Sequence, residues 1–532
     1  MLGMLAFSGC GPRKNLAEKG IDTQTLHVGN AVEPVDLDPH AISGVAEIRI
    51  LSALFEGLVG QDPHDLSPIP GMAESWDISD DGLTYTFHLR EDARWSDGNP
   101  LGAEDFAFAY ERILSPDMAA PNASLLFTLR NAQAFNQGKT SFDQVGVQVI
   151  AAHTLQLTLA QATPYLLHLL SHPAWYPLPQ QAIEQHGDRF APGNRWTRPG
   201  NLVSNGPFQL TDWKVNQYVQ VSANPLYWDA GNVRLSQIFF YPTESRDGEE
   251  RSFLNGQLHI TDALPVSKVK QYIDRRDPAL RIDPYLGTYY LQLNTRIQGL
   301  DDPRVRRALS LAIDREALVR TVLQGAQEVA WQFTPPGTPG YRGDYQGTYD
   351  PDQARSLLAA AGYPDGKGFP QLSYLYNTSE NHKLIAEALQ QMWKVELGID
   401  IQPYNQEYKV YMQSRTQGEF NILRSSWIGD YLDASTFLKV FESGSDHNYT
   451  GWNSSAYDQA ITIAGSTLDS AKRNTAFDTA EAVLRTECPI IPIYHYNSIY
   501  LKNPAVQGYY PTLLNLHPWK FVYLESVTAT AD

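Results

Sequence analysis

The sequence predicts an α/β protein of two or three globular units, and three observations carry that expectation. At 532 residues the chain exceeds what a single hydrophobic core serves. Segments of period two and of period 3.6 interleave along it, as they do where helices cover sheets. Between Gly187 and Gly206 runs a stretch rich in Gly, Pro, Asn and Arg with no periodicity, which reads as a long connection between units.

Asp80-Asp81-Gly82 is a turn signal. After it Leu83, Tyr85, Phe87 and Leu89 alternate with Thr84, Thr86, His88 and Arg90, as in a strand with one buried face. Leu155, Leu157 and Leu159 alternate with polar neighbours in a second such strand. Between them, 104–114 places Phe106, Tyr110 and Ile113 on one helical face before Ser115-Pro116 stops it. Past the connection, 218–221, 237–241 and 288–293 read as strands rich in aromatic and branched residues. Asp302-Pro303 offers an N-cap and the helical position proline favours, with Val305, Leu309, Ala312 and Ile313 as the apolar stripe. Another helix starts at Asp314. Asp350-Pro351 repeats the pattern with Ala354, Leu357, Leu358 and Ala361, closed by Gly362. A helix over 384–395 precedes Gly398, and 399–401 is expected to return to strand.

The formal charge of −18, from 59 acidic and 41 basic residues, argues against nucleic acid as a partner. No segment after the first ten residues is apolar enough to span a bilayer. The two cysteines, Cys10 and Cys488, differ too much in setting to form a disulfide. Cys488, in Cys-Pro-Ile-Ile-Pro-Ile-Tyr, reads as a small buried thiol. The opening Met-Leu-Gly-Met-Leu-Ala-Phe-Ser-Gly-Cys resembles the end of a bacterial lipoprotein signal. Cleavage would leave Cys10 first and lipidated, with the hydrophilic residues 11–15 as a tether.

Catalytic chemistry finds no positive support. His168 and His172 are four apart, but Pro173 spoils the helix and no third ligand or general base is near, so no metal site is expected. Nucleophile elbows, phosphate-cradling loops and dinucleotide turns are missing from the sequence, and neither a cofactor nor a catalytic residue is assigned. The carboxylate pairs Asp80-Asp81, Asp301-Asp302 and Glu249-Glu250 are read as turn and helix-start residues that satisfy exposed amides. The 11 Trp, 29 Tyr and 20 Phe, many beside single charges, suit a concave binding site.

A series of short motifs then points to one family. Leu37-Asp38-Pro39-His40, Leu54-Phe55-Glu56-Gly57-Leu58, Ala73-Glu74-Ser75-Trp76, residues 85–90 and Trp95-Ser96-Asp97-Gly98 open it. It continues through Ser204-Asn205-Gly206-Pro207-Phe208, Asp283-Pro284-Tyr285-Leu286, residues 302–309, Tyr376-Asn377-Thr378-Ser379 and Trp427-Ile428-Gly429-Asp430-Tyr431. In these motifs the chain resembles the peptide and nickel importer binding proteins, and within them the oligopeptide-binding branch. The resemblance implies a periplasmic binding protein-like fold of two hinged α/β lobes with an additional domain on the first. It places the signal and tether at 1–21, the first lobe at 22–60, 186–285 and 499–532, the additional domain at 61–185, and the second lobe at 286–498. It further implies a monomeric, non-enzymatic receptor, periplasmic or cell-surface and lipid-anchored, which delivers short peptides to an ABC transporter permease.

In that branch an extended peptide lies between protein strands, paired through its main chain. The matching edges here are Ser43-Gly44-Val45 and Ser426-Trp427-Ile428. Asp430 corresponds to the carboxylate that accepts the ligand's α-ammonium. Arg424, Arg415 and His382 match positive groups for the carboxylate end, and Asn377, Tyr285, Tyr290 and Tyr408 match positions around the cleft. There are three departures from the family: Gly287 and Ile428 stand where many relatives carry a cysteine pair, Ser43 replaces an acidic residue, and Asn122 replaces an aromatic one. Side-chain preference is therefore open, murein-derived peptides remain an alternative, and other family ligands are nickel complexes, haem and sugars. An extracytoplasmic peptide hydrolase is the rival from another class.

Overall fold

The computed structural model describes residues 14–526, so the expected lipidation site Cys10 lies outside the described residues. A four-stranded sheet runs Thr25–Gly29, Gln237–Tyr241, Tyr218–Ala223, Phe208–Lys214, parallel in its first pair and antiparallel in the others. A second, fully antiparallel one runs Ala73–Ile78, Thr84–Leu89, Thr154–Thr158, Val147–Ala151. The alternation in the sequence sets its faces. Tyr85, Phe87, Leu89, Leu155 and Leu157 are buried together with Phe106, Tyr110 and Ile113 of helix Ala103–Leu114. Leu26, Val28, Ile238 and Phe240 of the first sheet belong to the same continuous core, so the two sheets form one body. Each such large side chain contributes roughly 1.5–3 kcal/mol on burial.

Several motifs turn out to be the joints of this body. Asp38 accepts two hydrogen bonds from Arg112, at 2.9 and 2.6 Å, with both side chains almost wholly buried. Burial alone would raise the Asp38 carboxyl, but the guanidinium wins and lowers it. Asn205 accepts from Glu56 N and donates to Glu56 O, at 3.2 and 2.8 Å, pinning Leu54–Leu58 to Ser204–Phe208.

The largest sheet has six strands, in the order Glu328–Val329, Ile490–Leu501, Leu280–Leu293, Ile422–Ile428, Ser373–Asn377, Gln402–Gln406. The first three pairings are antiparallel and the last two parallel. Each face packs on its own core: Tyr289, Leu291 and Leu293 on one with Trp393, and Tyr290 on the other with Phe333 and Phe437. Its two longest strands, Leu280–Leu293 and Ile490–Leu501, reach the first sheet through the bridges Ile260 to Lys502 and Val28 to Ile260. Their register breaks between Pro284 and Thr288, where the ribbon passes from one body to the other.

The caps form as read: Asp302, Asp314 and Asp350 each accept a hydrogen bond from the helix they start. The helix before Gly398 spans Glu380–Leu397, and Gly398 ends it at φ +69°, a conformation that favours glycine. Three expectations change. Residues 399–401 are not strand: Ile399 and Ile401 both drop into the core, and the ladder opens only at Gln402, whose N donates to Leu372 O. Residues 288–293 are the second half of a 14-residue strand. Glu249 does lie in the first turn of helix Arg246–Leu254, with Glu250 just after it, but both are buried and do not face exposed amides. Burial pushes the Glu249 carboxyl up to about 7, while Glu250 accepts from Lys268 and from the Tyr272 hydroxyl. Cys488 is buried at the end of helix Ser470–Glu487, its thiol pushed up to about 11 by burial.

Candidate functional site

Strand Ile422–Ile428 is paired along its whole length with 287–293, Gly287 opposite Ile428 and Leu293 opposite Ile422. Its other edge pairs with Ser373–Asn377 only at Ile422 and Leu423. Among the described residues no strand lies beside that edge from Arg424 to Ile428, which leaves main-chain donors and acceptors open to an added strand. The Tyr411 hydroxyl takes one of these groups, donating to Arg424 O.

Asp430 follows two residues beyond the strand, its N held by Thr436 Oγ1 at 3.0 Å. The residue is open to solvent on one side, yet the surrounding protein takes enough water from the carboxyl to push it up to about 6. Among the described residues no cation lies within 4.0 Å of it. The neighbouring loop is anchored firmly: Asp433 makes a buried two-fold ion pair with Arg473, at 2.5 and 2.6 Å. Tyr431 stacks on Tyr165 with ring centroids 4.7 Å apart, tying this loop to the body that holds the two four-stranded sheets.

Cationic groups stand along the strand. Arg424 donates to Asn377 Oδ1 at 3.5 Å and to the Tyr496 hydroxyl at 3.1 Å, with its guanidinium 4.8 Å from the Tyr289 ring centre. Arg415, on helix Tyr408–Gln417, lies over Tyr449, and His447 packs edge-on against Trp427 at 5.0 Å. Neither arginine has a carboxylate within 4.0 Å among the described residues. Their Nε atoms, and the Trp427 indole nitrogen, are buried without a hydrogen-bond partner. His382 packs on Tyr289 as well, but burial, reinforced by Arg424, lowers its pKa to about 3. It is neutral at physiological pH, so the expected positive charge at this position is corrected to a neutral polar group.

Ser43 and Gly44 lie in an extended segment on the first body. Asn122 holds it, donating to Ile42 O at 3.0 Å. A Cβ on Gly44 would sit 2.1 Å from the Glu47 carboxylate, so a side chain there would push that carboxylate aside. Val45 is not part of that extended edge: it is the first residue of helix Val45–Leu54. Tyr285 stands where the two bodies meet, its phenol raised by burial and within the fields of Arg49, Asp262 and Asp430. Tyr290 is 1% exposed and packs on Phe333 and Phe441, because strand alternation turns it to the opposite face from Tyr289. It is a core residue and not a cleft residue. Tyr408 is exposed at its helix start and stacks on Tyr411.

Gly287 and Ile428 face each other in the ladder, and a Cβ on Gly287 would meet Ile428 Cδ1 at 2.4 Å. The isoleucine occupies the space the glycine leaves. Tyr289, Tyr411, Tyr449, His447 and Tyr496 escaped the sequence reading. Aromatic residues at alternate strand positions were visible, but their assembly around two arginines depends on three separate strands and a helix.

His172 caps a single turn through its ring nitrogen, and among the described residues no group of three or more His, Cys, Asp or Glu is placed to hold a metal ion. Thr288 and His495 are 2.9 Å apart but both are buried in the sheet, and the threonine hydroxyl donates to Phe333 O. No helix among the described residues is long and apolar enough to cross a membrane.

A family profile described as "Bacterial extracellular solute-binding proteins, family 5 Middle" matches residues 67–449. The chain belongs to this family. It is 37% identical over 491 residues to the periplasmic murein peptide-binding protein MppA of Escherichia coli, covering 90% of this chain and 88% of that one. To the periplasmic oligopeptide-binding protein OppA of the same organism it is 36% identical over 504 residues, 93% and 90% of the two chains. The unliganded open form of MppA superposes with a TM-score of 0.84 at 36% identity, covering 94% and 98%. Haemophilus influenzae OppA in complex with RPPGFSPFR gives 0.76 at 32% identity, covering 95% and 99%. The family 5 chain therefore has the two-lobe α/β fold.

Proposed function

We propose that this solute-binding protein captures short peptides in extended form and delivers them to an ABC transporter permease. One observation carries the reading: an open strand edge at 424–428 lies between a carboxylate without a cation, Asp430, and guanidinium groups without carboxylates, Arg424 and Arg415. A zwitterionic peptide complements that arrangement. Its main chain pairs with Ser426–Ile428 and with Ser43–Gly44 across the cleft, independent of side chains. Its ammonium meets Asp430, and its carboxylate meets Arg424 or Arg415 according to length. Asn377, Tyr285 and His382 supply neutral polar contacts, Trp427 a wall, and Asn122 holds the Ser43 loop. The lobes are assigned to 22–60, 186–285 and 499–532 for the first and 286–498 for the second, with the additional domain at 61–185. Cys10 is the lipid anchor of a monomeric receptor outside the cytoplasm.

The 37% identity to a murein peptide-binding protein favours a second ligand reading, murein-derived peptides. A hydrolase is disfavoured, since the one threonine–histidine pair in the sheet is buried away from the cleft. Mass spectrometry of small molecules released by denaturing the purified protein, beside an Asp430→Asn variant, tests all three. Mixed intact short peptides, depleted in the variant, are expected. Murein peptides alone select the second reading, and cleaved fragments or equal loading of both proteins would overturn the assignment.

A further inference from the structure

A cavity of about 150 Å³ opens on the second lobe among helices Pro303–Leu311, Arg315–Thr321 and Ser470–Glu487, and it shares no residue with the proposed peptide site. Its charged lining is lopsided for a chain of formal charge −18: Arg307, Arg315 and Arg485 face it against one carboxylate, Glu481. Glu481 is committed elsewhere, accepting from Thr334 N at 2.7 Å and Phe333 N at 3.3 Å. Among the described residues no carboxylate lies within 4.0 Å of any of the three guanidinium groups.

Arg315 shows the imbalance best. It is 2% exposed, donates to Pro492 O at 2.8 Å and to Ser310 O and Oγ at 3.0 and 2.9 Å, and lies 4.6 Å over the Trp331 ring. Carbonyls and a hydroxyl orient the group, but none of them carries the countercharge that a buried cation calls for. Arg485 sits 4.0 Å over the Tyr345 ring in the same wall. The loop roofing the cavity presses onto the indole at Gly347, where a Cβ would come within 2.3 Å of Trp331.

We propose that this cavity is a second ligand site, taking a small organic monoanion: a carboxylate on a flat body about the size of benzene. A guanidinium matches a carboxylate in plane and charge, and a cavity of about this volume holds one benzene ring. Benzoate is the probe and benzamide its uncharged counterpart, both titrated calorimetrically into the full-length protein. Benzoate binds saturably at one site and more weakly as salt rises, whereas benzamide does not bind. Arg485→Gln lowers the benzoate affinity by about tenfold. Gly347→Ala lowers it too, by displacing Trp331 without touching a charge, while both variants retain their bound peptides. Arg424→Gln leaves benzoate binding intact. The proposal is overturned by equal responses to the two probes, by no saturable response, by undiminished affinity in both Arg485→Gln and Gly347→Ala, or by loss of binding in Arg424→Gln, which would return the anion to the peptide cleft.

Discussion

Asp430 illustrates what a single side chain contributes and what the sequence withholds. Its place in a motif was legible, but its lack of a partner was not, because that depends on which cations the fold keeps away. The carboxyl is raised to about 6 by lost hydration, above its ordinary value of 3.8. Ionising it therefore costs stability in the folded protein: the cost is absent below pH 4, grows through pH 6 and is complete above it. Since the residue is partly open to solvent, the cost is discounted to about 1 kcal/mol. Asp430→Asn should raise the melting temperature of the peptide-free protein by about 2 °C at pH 8 and leave it unchanged at pH 4. The same variant should weaken peptide binding by roughly 100-fold or more, the effect of deleting one member of a buried charge pair. In the wild type, affinity should fall as pH drops below 6, because a proton must leave before the ligand's ammonium can pair. Calorimetry across pH 4.5–8 checks this, and an identical pH profile in the asparagine variant would assign the proton to another group.

At the scale of elements, the periodicities and caps were legible where they are local. An aspartate before proline starts a helix, and alternating leucines make a half-buried strand, because both depend only on neighbours a few residues away. The 14-residue strand Leu280–Leu293 was half hidden, since its first half pairs with 497–501 and not with a sequence neighbour. Tyr290 and Tyr289 look alike in sequence, and both are buried, but strand alternation sends them to opposite faces of the sheet and into different cores. The pair Gly287 and Ile428 shows the same dependence on register. Gly287→Ala places a methyl 2.4 Å from Ile428 Cδ1 and 3.0 Å from Tyr496 Cδ2, and should cost about 1–2 kcal/mol. Ile428→Ala opens the space, so the double variant should recover most of the loss. Urea denaturation of the four proteins measures the coupling, which vanishes if the two residues do not share that volume.

The whole molecule is joined by features no local pattern discloses. Arg112 and Asp38 are separated by 74 residues and buried against each other, so Arg112→Ala leaves a buried carboxylate unpaired at a cost of about 3–5 kcal/mol. Thermal unfolding should show this as a large drop in midpoint, and a loss under 1 kcal/mol would mean that water reaches Asp38.

On the proposed lobe boundaries the connection between the lobes is the ribbon whose register breaks between Pro284 and Thr288. A ligand closes them only if it binds the closed arrangement more tightly, which requires contacts from both sides. On the proposed reading the second lobe offers Ser426–Ile428 and Asp430, and the first offers Ser43–Gly44, which Asn122 braces through Ile42 O. Peptide should therefore lower the radius of gyration, about 24 Å for a compact chain of this length, by a few per cent in small-angle scattering. Asn122→Ala leaves every second-lobe contact in place but loosens the first-lobe edge. It should still bind peptide, at lower affinity, with reduced compaction, whereas Asp430→Asn should lose both together. Full compaction in Asn122→Ala would mean that the first-lobe edge contributes nothing to closure and that the second lobe alone selects the closed state.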